Sequence, residues 1–467
     1  MVHRGANWRV GVARQDITPP PGVELAGLGY YLRRTWTRVR DSLHATALVV
    51  EDEAGNGIAL LALDLMYNDA GFTRAIREQV AARTPLQPSA VVVNCSHSHS
   101  APTAGLILGG GERNGDYLST VVQAAAAAVE NAWRTRQSAS LRVGSGELAG
   151  MTFNRTRENG PVDPRVSVLR ADTGTGRPLA VAVNFHSHCI AHLETDLTAV
   201  SRDWPGEVVD QMEAALPGAT ALYLQGTCGD VNFRREFNST ERRFEPGRAI
   251  TRVALEAWAS SRLVDGSGLG AVSRQVTLPT RRWTREEIMR DREEGQYRLR
   301  TGDTTGWLAG VARVCVNQPE RLPLRYGGSS AKAAAAVARF AVEWTDGILP
   351  DWETRPEFIE TEVQAFRIGD VFGCANAAEL FTSLGLEVRR RWSHDDLFML
   401  GYANGSIGYL PDAHEIARGS YAATQSPKFT LQFPFTVEAG AAMVEGMLAA
   451  LERVKGAAAS PSITLTK

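Results

Sequence analysis

The feature that most constrains this chain is a repeated pattern: a short apolar run of β type stops abruptly at a polar, glycine-bearing or histidine-bearing cluster. Ala90–Asn94 (AVVVN) breaks off into Cys95-Ser96-His97-Ser98-His99-Ser100. Leu179–Phe185 breaks off into His186-Ser187-His188, and Ala219–Gln225 into Gly226-Thr227-Cys228-Gly229-Asp230-Val231-Asn232. Short apolar runs bounded by such breaks read as buried strands. Helical segments lie between them: Thr73–Arg83, the Ala-rich Tyr117–Arg136, and a helix entered at Pro205 and running to about Ala215. Strands alternating with helices predict an α/β sheet flanked by helices. Ala45–Glu51 and Ile58–Met66, joined by Asp-Glu-Ala-Gly-Asn-Gly, form a hairpin, so the sheet is expected to be mixed.

Residues 283–352, rich in Arg, Glu, Trp and Ala, read as a mainly helical insertion or cap over that sheet. Beyond them Glu360–Cys374 returns to strands around Ile368-Gly369-Asp370. A helix is expected over Glu379–Arg391, a strand over Leu397–Tyr402, a closing helix over Val437–Val454 and a loose tail from Lys455. The expectation is a single catalytic unit over residues 1–467, with 44% hydrophobic residues to fill its core. A net charge of -2 without a block of like charges argues against nucleic acid as a partner. Apolar runs stay below the roughly 18 residues of a membrane span. Met1–Val10 lacks the apolar region of a signal peptide, so a cytoplasmic protein is expected. Cys95, Cys189, Cys228, Cys315 and Cys374 are widely spaced and odd in number, which predicts free buried thiols.

The chemistry gathers at the strand ends, where α/β sheets bind ligands. Two histidine pairs, His97/His99 and His186/His188, each end a strand in a chain of nine histidines, and histidine is a favoured zinc ligand. A Ser-rich, Pro-ended loop splays its histidines, so His97 and His99 divide into one ligand and one supporting or catalytic imidazole. His192 reads as a surface residue. The glycines of 226–232 allow close backbone approach to a ligand. Among carboxylates, Asp64 falls within a strand, Asp203 and Asp230 follow strands, and Glu379 opens a helix at the sheet edge.

In order along the chain, Asp16-Ile17-Thr18-Pro19, Gly27-Leu28-Gly29-Tyr30, Ser96–Ser100, Asn154-Arg155, Asn184–His188, Ser201–Gly206, Gly229-Asp230-Val231 and Gly401–Asn404 leading to Tyr409 resemble the neutral/alkaline ceramidase family. The likeness runs from Val12 to about Tyr421. It implies one zinc ion held by His97, His188, Glu379 and Tyr409, with His188 rather than His186 as the ligand. It places His99 beside the reacting carbonyl as a catalytic group and Arg155 at the substrate.

Three departures shape the expectation. Asn232 stands where the family has serine; it can orient a substrate but cannot act as a nucleophile. Ala377-Ala378 stand where the family has Pro-Gly before Glu379. The chain reads as a short, bacterial-type member without the immunoglobulin-like C-terminal domain. The reading is therefore a zinc-dependent hydrolase that cleaves an amide bond of a soluble small molecule with metal-activated water, leaving homo-oligomerisation open. The alternatives are an ester, lactone or carbamate hydrolase, a metallophosphoesterase, or a binding homologue without catalysis.

Overall fold

The computed structural model describes residues 8–192, 196–310 and 319–457. Cys315, part of the insertion and the tail from residue 458 lie outside the described residues.

A long mixed sheet forms the spine. Its strands run in the order Thr220–Gln225, Pro178–Phe185, Arg165–Thr173, Gln137–Glu147, Trp8–Asp16, His44–Glu51, Gly57–Leu63 and Val91–Cys95. The outermost pair at each end is parallel, and the inner pairs are antiparallel. The expected hairpin is His44–Glu51 with Gly57–Leu63, in the register Ala45↔Leu63. Asp64, expected inside that strand, stands just past its end.

A second sheet, Leu269–Pro279, Phe358–Ile368, Val371–Asn376 and Leu397–Leu400, packs on one face of the first. This explains the nearly unbroken apolar runs. In His44–Glu51, Ala45, Ala47 and Val49 face helices, while Leu48 and Val50 face the second sheet. Strands buried on both faces have no polar alternation to show. Helices Ala70–Arg83 and Gly115–Thr135 cover one half of the long sheet, and Asp203–Ala215 and Glu245–Ser260 the other. Thr382–Arg391 and Ala439–Ala457 cover the outer face of the second sheet. The layers are helix, sheet, sheet, helix. At Gly11 a Cβ would meet Ala132 O at 1.9 Å, so the Ala-rich helix rides directly on the strand backbone.

The insertion is helical as expected, with Arg285–Thr301 and Ser330–Ile348 as its main elements. Among the described residues, its Trp283, Phe340 and Trp344 close on Tyr30 and Phe433 of loops and on Phe429 at the end of the short helix Ser426–Phe429. Among the described residues, no helix is long and apolar enough to cross a membrane.

The two sheets bring the C-terminal ends of five strands together, and asparagines stitch them. Asn94 donates to Gly401 O (2.7 Å) and accepts from Gln225 N (2.7 Å), so the two edge strands of the long sheet meet. Asn184 donates to Leu224 O and Met399 O, and Asn376 to Leu400 O. The Asn94 contacts and the Asn184 bond to Met399 O span strands that no backbone ladder joins at that point, whereas the bonds to Leu224 O and Leu400 O reinforce ladders already present.

Candidate metal centre

The loops that leave these strand ends carry the chemistry. His97 follows Val91–Cys95, its backbone held at φ 62° by bonds to Leu65 O and Met66 O. Asp203, Tyr402 and Asn404 also hold positive φ. Such strained backbone gathers where a fold over-determines a functional site.

His97 Nδ1 lies 3.1 Å from Met66 O, His99 Nδ1 2.9 Å from Gly27 O, and His188 Nδ1 3.2 Å from Val231 O. A carbonyl only accepts, so each Nδ1 carries the proton and each Nε2 presents a lone pair. The three Nε2 atoms face one another: His97 to His99 is 3.3 Å. Glu379 Oε2 lies 3.5 Å from His97 Nε2 and 3.2 Å from His188 Nε2, and Tyr409 Oη is 3.4 Å from His188 Nε2. His97, His99 and His188 form the group able to hold a metal ion among the described residues.

Burial keeps these imidazoles neutral. His97 and His188 are pushed well below the usual histidine range, and His99 down to about 3. Burial pushes the Glu379 carboxyl up to about 8, opposed by the Tyr409 and Tyr402 hydroxyls. Lone pairs crowded on a buried carboxyl repel one another unless a cation lies between them. Zinc–nitrogen bonds of about 2.0–2.1 Å in a tetrahedron set ligand–ligand separations of about 3.3 Å, and the pairs His97–His99, His97–Glu379, His188–Glu379 and His188–Tyr409 stand at 3.3, 3.5, 3.2 and 3.4 Å. The residues present fit a zinc ion.

The structure also separates the histidines. His186 Nδ1 accepts from Thr227 N (3.0 Å) and its Nε2 lies 3.5 Å from Asp163, so its ring serves the fold on the far side of the strand. His192, expected at the surface, is buried beside Ser201 and Phe244. The cause is Asp203, whose carboxylate accepts from Ala191 N and His192 N and draws that segment inward. Asp203 therefore anchors backbone rather than a histidine ring, while Trp204 Nε1 donates to His188 O (3.0 Å).

Glu379 does not open a helix. It pairs with Tyr409 in a two-residue parallel strand, and the helix begins at Thr382. At Gly229 a Cβ would meet Glu379 O at 2.4 Å, so only glycine admits that strand. Arg155 follows the strand Thr152–Asn154, paired to Val231–Phe233. It donates to Tyr409 Oη (2.6 Å) and Gly229 O (2.8 Å), with His188 Nε2 at 3.5 Å. Asn232 stands in the partner strand with its Oδ1 buried and unpaired. Two residues without an assigned role complete the site. Tyr67 hydrogen-bonds Glu379 Oε1, and Tyr402 lies 3.4 Å from Oε2 while stacking on His97. Each follows an apolar strand, and Tyr402 also lies inside the Gly401–Asn404 motif, but neither residue type nor spacing gave it a role. Cys95, Cys189, Cys228 and Cys374 are free and buried.

Comparison with known proteins bears on the fold and on the segment that carries the histidines. Residues 8–220, which contain all three clustered histidines, match the model of the neutral/alkaline non-lysosomal ceramidase N-terminal domain. Over 100 residues the chain is 34% identical to neutral ceramidases of Drosophila pseudoobscura pseudoobscura and Drosophila melanogaster. That segment is 21% of this chain and only 14% of each relative. The fold is similar to the crystal structure of neutral ceramidase from Pseudomonas aeruginosa, with a TM-score of 0.69 at 18% identity, over 96% of this chain and 75% of that one. A ceramidase complexed with C2 gives the same TM-score at 17% identity, over 97% and 76%. Fold and site together define an α/β protein with a buried histidine cluster at its strand ends. Residues 8–220 of the chain are similar to the N-terminal domain of neutral/alkaline non-lysosomal ceramidases.

Proposed function

We propose that the chain is a zinc-dependent hydrolase that cleaves the amide bond of a soluble N-acyl small molecule. The observation that carries this reading is the spacing of His97 Nε2, His188 Nε2, Glu379 Oε2 and Tyr409 Oη, with each ring's lone pair directed inward by a backbone carbonyl. These four residues would hold the ion. Zinc bound there supplies a water acidic enough to attack a carbonyl near neutral pH.

The chain's own residues do the rest. His99 Nε2, its ring fixed by Gly27 O, accepts a proton as the carbonyl is attacked and returns it to the leaving amine. The Arg155 guanidinium and the Tyr409 hydroxyl donate toward the carbonyl oxygen as it gains charge. Asn232 is placed to orient the substrate through its unpaired amide oxygen. The site draws on segments from Gly27 to Tyr409, which supports one catalytic unit rather than separable domains.

Elemental analysis of the purified wild type and His188→Ala tests the reading, followed by turnover on a panel of N-acyl amides. About one zinc in the wild type, none in the variant, and amide cleavage by the wild type alone is the expected result. Failure of the wild type to bind zinc when it is supplied removes the reading.

A further inference from the structure

Beside the histidines, on the far side of Arg155, lies a cavity of about 90 Å³ lined by Arg155, Gly229, Phe381, Arg418, Ser420 and Tyr421. Its charge is unbalanced. Arg157 pairs with Asp412, and Arg418 with Glu415 (2.7 Å). Among the described residues, no carboxylate forms an ion pair with Arg155. Its contacts are Gly229 O, Tyr409 Oη and His188 Nε2, and its Nε is buried without a partner. Of the two guanidiniums that line the cavity, Arg418 has a carboxylate partner and Arg155 has none among the described residues. An unpaired guanidinium in a protein interior is costly unless an anion joins it.

A second, independent observation points into the same space. Ser420 Oγ is buried and makes no hydrogen bond. Arg418 is held at the cavity's edge by Thr156 O (2.9 Å). A hydroxyl and two guanidiniums converge with donors to spare, which suits a carboxylate. Size admits the group. A water needs at least about 10–15 Å³ of such space, so the cavity has room for several waters' worth of atoms, enough for a carboxylate and the carbons that carry it.

We propose that this cavity seats the carboxylate of an amino acid, so that the substrates of the site are N-acyl amino acids. This rests on the hydrolase reading above and names its substrate class. The carboxylate supplies the charge that Arg155 lacks and accepts from Ser420 and Arg418, while the acyl chain lies outside the cavity.

The test is calorimetry on the zinc-loaded full chain with two stable probes. These are the analogues of N-dodecanoylglycine and N-dodecanoylglycinamide in which a methylene replaces the scissile N–H. The carboxylate probe is expected to bind at least about tenfold more tightly than its neutral amide counterpart. Arg418→Gln should cut that ratio below about threefold, with zinc content unchanged. Equal binding of the two probes, binding of neither, or a ratio that survives both Arg418→Gln and Ser420→Ala overturns the proposal. Turnover of the two parent amides, read in parallel, keeps the two readings apart. Equal binding with turnover of both removes the carboxylate site and leaves the hydrolase. Carboxylate-selective binding without turnover keeps the site and removes the hydrolase.

Discussion

Each clustered histidine is oriented by one backbone carbonyl, so the fold chooses its tautomer and leaves the other nitrogen free. The rings nevertheless have different expected roles. His188→Ala removes a lone pair that faces both Glu379 and Tyr409, whereas His99→Ala removes one that faces His97. His99→Ala should therefore retain most of the zinc while losing activity by about 10²–10⁴-fold; loss of zinc from that variant would make His99 a ligand. Tyr67 acts one step further out, through the Glu379 carboxylate. Tyr67→Phe should weaken zinc binding by about 10–100-fold in a competition titration with a chelator. An unchanged affinity would leave Tyr67 with a packing role only. The histidine pairs were legible in the sequence because their residue type is rare and each follows a strand. Tyr67 and Tyr402 were not, because a tyrosine after a strand is ordinary until the Glu379 carboxyl is seen against it.

At the scale of elements, the site exists because strand ends from both sheets arrive at one place. Strand existence could be read locally, since Val91–Cys95, Pro178–Phe185 and Thr220–Gln225 are short apolar runs with sharp ends. The segment around Glu379 could not. Ala-Ala-Glu-Leu favours helix by composition, and what makes Glu379–Leu380 a strand is pairing with Tyr409–Leu410, a partner distant in sequence. The helical insertion was likewise recognisable by composition, but its resting place on Tyr30, Phe429 and Phe433 depends on loops and a four-residue helix too short to show periodicity. The asparagine stitches are the testable part of this convergence. Asn94→Ala removes the bonds to Gly401 O and Gln225 N and leaves both groups buried without that partner. Denaturant unfolding should show a loss of about 2–4 kcal/mol. A loss below about 0.5 kcal/mol, the size of a neutral surface change, would mean that the strand ends hold together without it.

For the whole molecule, the sequence indicated the layer type and not the number of layers. Alternating strands and helices imply helices on a sheet, but a run buried against a second sheet looks the same as one buried against a helix. Asp64, partly buried just past the end of Gly57–Leu63, accepts from His44 N at 2.8 Å. Burial pushes its carboxyl up to about 6, with Arg202 opposing. In the unfolded chain an aspartate titrates near 3.9. Between those two values the folded state holds the proton and the unfolded state has lost it. Stability from this group is therefore fully present below about pH 4 and falls as pH rises through about 6, by at most about 3 kcal/mol, reduced by the solvent that reaches this partly buried group. Asp64→Asn keeps an oxygen for His44 N and carries no charge. Its denaturation midpoint should exceed that of the wild type above pH 6, and the difference should close below pH 4. A difference between the two proteins that stayed constant across that range would show that Asp64 is ionised in the fold at no cost, with Arg202 compensating its burial in full.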